Sequence, residues 1–402
     1  MAANVILNGG AIAAAFVPLA FIQKPPDPNR QTSVAIGVGS GGSVPHVAFW
    51  DEGGGRISQY KGDANGHICK GETFQTTVDN YQNGKQPASP DYISVVMQEN
   101  DAICLAAVSV SGNGQQWTWT GDMAYTCRAQ WSESSYVFQG SNVPIRCAWL
   151  DADHTNGIIA KGMSLHIRDF TADRGIVAQY SNNTDRLCKN TARMTFWPEI
   201  VPDSLVQIFH PAMQYTRNTN EENPDPNAPD LSGSLKNPDQ GIDRGNKAYP
   251  DGTDLKGWSI DKKKRHVRDT KKSKRGIRQI LSETLVVSHF PRHSAKEMCE
   301  DPMALSSDFV SVPEGLFCDM TNRKLWPVCT PTLEKNCFDV PNKSLKVDGP
   351  LKREESKEYK KQEEWGLEHA KRALLTPMET QEEKRSLFSR KKHPGDRCNP
   401  KE

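Results

Sequence analysis

Four cysteines, Cys299, Cys318, Cys329 and Cys337, fall within 39 residues behind a long polar and then basic stretch. So small a block cannot bury enough surface to hold itself together, and cross-links supply what its core lacks. An even set of well-separated cysteines reads as a disulfide framework in a secreted protein, because cytosolic thiols stay reduced. Zinc does not fit: no two of the four sit two to four residues apart, and no histidine lies between Cys299 and Cys337. Four cysteines allow three pairings; Cys318 with Cys329, bracketing Asp319–Val328, is one of them. Further forward, Cys104 and Cys127 flank an expected hairpin and join either adjacent strands or the hairpin to the following loop, and Cys147 with Cys188 is the natural second pair. Cys69 and Cys398 then remain.

Residues 33–209 read as one all-β domain. Period-2 alternation recurs in Ser33–Val38, His46–Trp50, Tyr92–Met97, Ala102–Val110 and Gly162–Phe170, with Gly, Asn and Asp clusters between the runs. Ser111-Gly112-Asn113-Gly114 predicts a hairpin between the Cys104 strand and the Trp117–Trp119 strand. Asn156-Gly157 predicts another, joining Arg146–Asp153 to Ile158–Phe170. No helical pattern interrupts the region, which argues against crossover helices and for an antiparallel β-sandwich, jelly-roll-like in kind.

The rest of the chain divides by composition. Only 36% of the residues are hydrophobic, so a sizeable part of the chain lies outside any core. Residues 1–32 hold a signal-like apolar segment, Ala11–Ile22, long enough for a secretion signal and too short to span a bilayer. Residues 210–282 form a polar, Pro-rich linker that ends in Lys262–Arg278, where ten Lys or Arg face one Asp; such composition predicts disorder. Residues 283–345 are the small cysteine-rich domain, opening on a strand at Leu285–Phe290. The tail, 346–402, is charged and partly helical or disordered, with Glu354–Leu375 the expected helix.

Few residues carry a chemical signature. Asp151-Ala152-Asp153-His154-Thr155-Asn156-Gly157 opens like a calcium loop, but its sixth position is Asn156 and its twelfth is Gly162, so a polar loop end explains it better than a metal site. Trp117 and Trp119 share one side of a strand and form either core or a platform for sugar rings. His46 with Asp51 and Glu52 groups an acid and a base, though neighbours on a strand need not converge. No nucleophile elbow, phosphate loop or zinc-protease motif occurs, and no cofactor or metal is expected. The pairs Lys264-Arg265 and Lys274-Arg275 lie in the linker, where proteases cut most readily, so a secretory-pathway dibasic protease is a better partner for them than nucleic acid. Asn182 and Asn342 begin glycosylation sequons. No stretch reaches the length of a membrane span.

Several longer motifs carry a resemblance. Leu285–His289, Ser294–Cys299, Asp308–Ser311, Glu314–Met320 and Leu325–Cys329, with Asn100–Cys104, Trp119–Asp122 and Trp149–Gly157, resemble uncharacterised secreted proteins of filamentous ascomycete fungi. The resemblance covers most of 33–210 and 283–345. It implies an extracellular, disulfide-bonded product with a signal peptide, a β-rich front half and a variable linker carrying Lys-Arg sites. No activity is established for that group, so it assigns no catalytic residue. The expectation is a secreted, non-enzymatic fungal glycoprotein that binds carbohydrate or a cell surface near Trp117, Trp119, Asp151, Asp153 or His154. The alternative is a secreted hydrolase using the carboxylates of the Asp151–Asp153 loop, two acidic groups in one groove being what glycoside hydrolysis needs.

Overall fold

The computed structural model describes residues 25, 27, 30–51, 54–63, 66–82, 88–138, 141, 143–170, 184–188, 193–202, 281, 283–349 and 357–367. The signal-like segment, the linker with its dibasic pairs, Asn182 and Cys398 lie outside them. The chain is mainly β and divides into two compact units, the front one reaching residue 276 without residues 142–144, and the back one built from 277 onward together with 142–144.

The front unit strings together β1 (Gln31–Ser40), β2 (Gly42–Ser43), β3 (His46–Trp50), β4 (Arg56–Tyr60), β5 (His67–Ile68), β6 (Thr73–Asp79), β7 (Tyr92–Val96), β8 (Ile103–Gly112) and β9 (Gln115–Thr120). Helix α1 (Gly121–Thr126) follows, then β10 (Trp131–Ser132), β11 (Cys147–Leu150), β12 (Gly162–His166), helix α2 (Asp185–Cys188) and β13 (Met194–Trp197). Two larger antiparallel sheets result. One runs β10-β11-β8-β1-β6, and β9 shares the outer edge of β8 with β11; the other runs β13-β12-β7-β3-β4.

Alternation explains which face each strand buries. On β1, Val34, Ile36 and Val38 point one way, and Val34 and Ile36 lie opposite Val110 and Val108, which in turn face Trp117 and Trp119. The other face of β1 carries Ser33, Ala35 and Gly37, and a Cβ at Gly37 would overlap the Tyr136 ring at 2.3 Å. Asn113 and Gly114 adopt φ of 48° and 74°, so β8 and β9 are joined by the two-residue turn that the Asn-Gly dipeptide predicts.

The second Asn-Gly pair does something else. β11 belongs to the first sheet and β12 to the second, so residues 151–161 carry the chain between sheets and close no hairpin. His154 and Gly157 are the residues with positive φ here, at 58° and 76°, and Gly157 N–H donates to the His154 carbonyl. The run Gly162–Phe170 also ends early: β12 stops at His166, and Ile167–Phe170 is a 3-10 turn.

The disulfides correct the expected pairings in both units. Because β8 and β11 are neighbours, Cys104 meets Cys147 at a Cα separation of 5.3 Å. Cys127, carried off the sheet by α1, meets Cys188 of α2 at 5.0 Å. Cys69 is disulfide-bonded as well. In the back unit Cys299 pairs with Cys318, and Cys329 with Cys337, in place of Cys318 with Cys329.

The back unit comprises β14 (Thr284–Ser288), helix α3 (Ala295–Glu300), β15 (Asp308–Ser311), β16 (Leu316–Asp319), β17 (Lys324–Pro327), β18 (Cys337–Asp339), β19 (Ser344–Lys346) and β20 (Lys361–Trp365). Its main sheet runs β17-β16-β15-β14-β20, with β14 parallel to both neighbours. Ser294 caps α3 by accepting the Glu297 N–H at 3.0 Å, and Cys299 then pins the helix to β16. Phe317 and Phe338 stack at 3.8 Å, which ties the β18–β19 hairpin to the sheet.

The tail reading fails at 361–365. Lys361-Gln-Glu-Glu-Trp365 forms the edge strand β20, and the small domain does not end at 345. The residues just before β20 are held by a buried carboxylate. Lys357 Nζ lies 2.7 Å from Asp308 Oδ2 and also pairs with Asp319, while the Tyr359 hydroxyl donates to Asp308 Oδ2 at 2.6 Å. Burial lifts the Asp308 carboxyl above its usual range, and the Lys357 ammonium beside it pulls the other way.

Candidate functional site

The Asp151 loop is the first place to look for chemistry. Asp151 is the first residue past β11 and is fully buried. Its Oδ2 accepts from Asn156 Nδ2 at 3.0 Å, while Oδ1 has no hydrogen-bond partner. Asp153 turns outward and caps the loop itself, accepting from the Thr155 N–H at 3.1 Å and the Thr155 hydroxyl at 2.8 Å. His154 Nδ1 sits 2.9 Å from the Ile158 carbonyl and its Nε2 lies 3.9 Å from Glu199. Gln130 clamps the loop from β10's approach, donating to the Gly157 carbonyl at 2.9 Å and accepting from the Ile159 N–H at 2.6 Å. Among the described residues no three His, Cys, Asp or Glu side chains are grouped to hold a metal ion.

Burial, and secondarily the charge of Asp153, push the Asp151 carboxyl up to about 7, against the hydrogen bonds from Asn156 and Asp153 that favour the anion. Raised above its unfolded value of 3.8, the group binds its proton more tightly in the fold. The stabilisation is complete below about pH 4 and is lost as pH rises through about 7, by at most about 1.4 kcal/mol per pH unit. Asp151→Asn is therefore expected to melt above the parent at pH 8 and close to it at pH 4. Melting curves at both pH values check this, and a pH-independent difference would contradict it.

The tryptophans do not form a platform. Trp117 and Trp119 are 3% and 1% exposed, and Trp119 Nε1 reaches Met194 Sδ at 3.3 Å. His46 lies buried at the start of β3, while Asp51, beyond the strand's far end, accepts the Gly55 N–H at 2.7 Å; the two do not converge. Asn342 is exposed on the turn between β18 and β19, with its amide donating to Asp339 Oδ2 at 2.9 Å.

Two buried ionic clusters were not legible in the sequence. Arg146 lies 3.3 Å from Glu133 Oε1 and 3.8 Å from Asp122 Oδ1, with its guanidinium 4.0 Å from the Tyr125 ring centroid and 5.2 Å from that of Trp131. Asp169 sits between His166 Nδ1 at 3.0 Å and Arg193 Nε at 3.3 Å, all three buried, and Arg168 pairs with Asp91 close by. Charge meets charge in each, as groups removed from water require.

The second sheet has two unlike faces. Its Val47, Phe49, Ile93, Val95, Met163, Leu165, Met194 and Phe196 share one face by alternation, and Trp119 packs on Met194 and Phe196. The opposite face is polar. Register aligns Thr195, Ser164, Ser94, Ala48 and Gln59 in one row across five strands. Along one side run His166, Tyr92 and Trp50; along the other run Trp197, Gly162, Val96 and His46. The polar half of an antiparallel sheet ordinarily faces water. Here Ser94, Ser164, Thr195 and His166 are all buried. Neither a protein-family profile nor a curated protein sequence matches the chain.

Proposed function

We propose that this chain is a secreted, non-enzymatic protein whose front unit is a jelly-roll-like antiparallel β-sandwich that binds carbohydrate or a cell surface. The observation that carries the reading is the set of disulfides, two closed within the front unit and two within the back. Cross-links of this kind suit an oxidising compartment, and among the described residues no helix is long and apolar enough to cross a membrane. Support for the sandwich comes from contacts between its sheets at two places, Trp119 on Met194 and Tyr60 on Phe74 at 5.3 Å. Asp151 is closed off from solvent and offers no carboxylate to a substrate, which favours binding over hydrolysis. The dibasic pairs at 264–265 and 274–275 supply the processing sites.

The test is the intact mass of protein taken from culture supernatant, with and without reductant. Each opened disulfide adds about two mass units, and cleavage at a dibasic pair yields separate chains. An intact intracellular chain bearing free thiols would sink the proposal.

A further inference from the structure

Among the edges of the larger sheets, one stands without protection. An edge strand offers a row of unpaired amides and carbonyls to any other chain, and proteins blunt it with proline, charge, bulges, brevity or a covering element. Strand β17 carries Lys324 and Pro327, β20 carries Lys361, Glu363 and Glu364, and β4 carries Arg56 beside a bulge. Strand β10 is two residues long, the four-residue β13 runs into Pro198, and the 3-10 turn Ile167–Phe170 packs beside β9. Strand β6 has none of these devices. Its seven residues, Thr73–Asp79, keep one register against β1, contain no Lys, Arg or Pro, and place their one charge, Asp79, at the end.

The backbone of β6 faces outward in a definite pattern. The Val38 N–H donates to the Glu72 carbonyl at one end of the β1–β6 pair, and the Asn80 N–H to the Arg30 carbonyl at the other, both in step with that register. Bonded and non-bonded pairs alternate along an antiparallel ladder, so Phe74, Thr76 and Val78 spend their amides and carbonyls on β1. Those of Thr73, Gln75, Thr77 and Asp79 point away from it, and among the described residues no other strand or loop backbone takes them up. The side chains on the outer face are tied sideways. Gln31 Nε2 donates to Asp79 Oδ1 at 2.9 Å, the Ser33 and Thr77 hydroxyls lie 2.7 Å apart, and those of Thr73 and Tyr136 lie 3.0 Å apart. On the inner face Phe74 packs against Tyr60 at 5.3 Å. Both faces therefore hold the strand in place while its edge stays open, with Thr73, Thr77 and Asp79 exposed.

We infer that β6 is the self-association edge of the front unit, and that its occupant is β6 of a second copy, antiparallel about a two-fold axis at Thr76. The register chooses the occupant. Outward-facing residues bond only to outward-facing residues, and β6 stays in contact with its own copy along its whole length only when the axis passes through Thr76. Across that axis Gln75 lies opposite Thr77 and Thr73 opposite Asp79, all at bonded positions, with Phe74 opposite Val78 on the inner face. Every pair is compatible: hydroxyl with carboxylate, amide with hydroxyl, ring with methyls, and no charge meets its like. Such a contact closes on itself and leaves neither copy an open β6. One edge strand buries little area, so the dimer is weak and forms only at high concentration. The inference stands apart from the binding role proposed above and does not depend on it.

The experiment is sedimentation equilibrium of the full-length protein between about 10 and 1,000 μM, the span of a weak association. A monomer–dimer equilibrium is expected. Gln75→Pro removes an outward amide and no bond to β1, so it should weaken dimerisation about tenfold or more and leave the melting temperature of the monomer in place. Thr73→Asp sets a second carboxylate opposite Asp79 and should weaken the dimer about threefold, while Thr73→Lys should tighten it by about the same factor. A merely structural threonine would not give opposite shifts, and this pair of variants decides the matter should the proline variant fold poorly. A monomer at every concentration overturns the assignment, whether the edge serves another chain or none. So does a dimer that all three variants leave unchanged, since it would lie on another surface.

Discussion

Arg146→Ala is expected to cost the front unit roughly 3–5 kcal/mol, the effect of stranding charge in a buried site. Two carboxylates, Asp122 and Glu133, face this one guanidinium, and both are buried. Removing Arg146 takes a cation away from both buried carboxylates beside the rings of Tyr125 and Trp131, and taking up a proton relieves the cost. The loss should therefore shrink as the pH falls. In the variant, folded carboxyls bind protons more tightly than unfolded ones, so stability absent at pH 7 returns as the pH approaches the ordinary carboxylate range. Urea unfolding at pH 7 and pH 4.5 checks both halves. Arg146→Lys should recover only part of the loss, since an ammonium has no planar face to lay over Tyr125. A variant as stable as the parent at pH 7 would mean that the cluster holds nothing together.

Removing the Cys127–Cys188 bridge by a double substitution to alanine should cost about 4 kcal/mol, from closure of a long loop in the unfolded chain. The two cysteines are 61 residues apart, against 8 for Cys329–Cys337, whose removal should cost about 2.5 kcal/mol on the same account. Denaturation of the two double variants side by side decides whether chain closure is the dominant effect. Equal losses would point instead to local packing around α2, where Leu187 and Cys188 are buried.

Much of the front unit was legible because its signals are local. Alternation in His46–Trp50 and Tyr92–Val96 marks strands, and Asn113-Gly114 marks its turn, since a dipeptide fixes the backbone it occupies. What failed depends on partners distant in sequence. Asn156-Gly157 looks the same whether the flanking strands share a sheet or not, and β11 and β12 do not. Lys361–Trp365 reads as a charged helix until β14 supplies a parallel neighbour for its backbone. The cysteine count indicated cross-links, yet pairing awaited the adjacency of β8 with β11. Of the row Thr195, Ser164, Ser94, Ala48 and Gln59, the sequence shows each residue and not their alignment. Ser94 and Gln59 fall in line only through two successive registers across β3. Trp117 and Trp119 were correctly placed on one side of a strand, but alternation does not say which side meets the core.

The position of β20 has a consequence for how the protein is made. Its Lys361 lies opposite Thr284, a partner 77 residues earlier in the chain. At ordinary ribosomal speeds of about 5–20 residues per second, several seconds pass after Thr284–Ser288 is synthesised before its neighbour exists. During that wait β14, whose five residues are all buried in the finished protein, is an apolar strand with an open edge. Any chain released before Lys361 keeps that edge permanently, and its next partner is another copy in the same state. Strand β20 is thus what closes the edge of β14 against other copies.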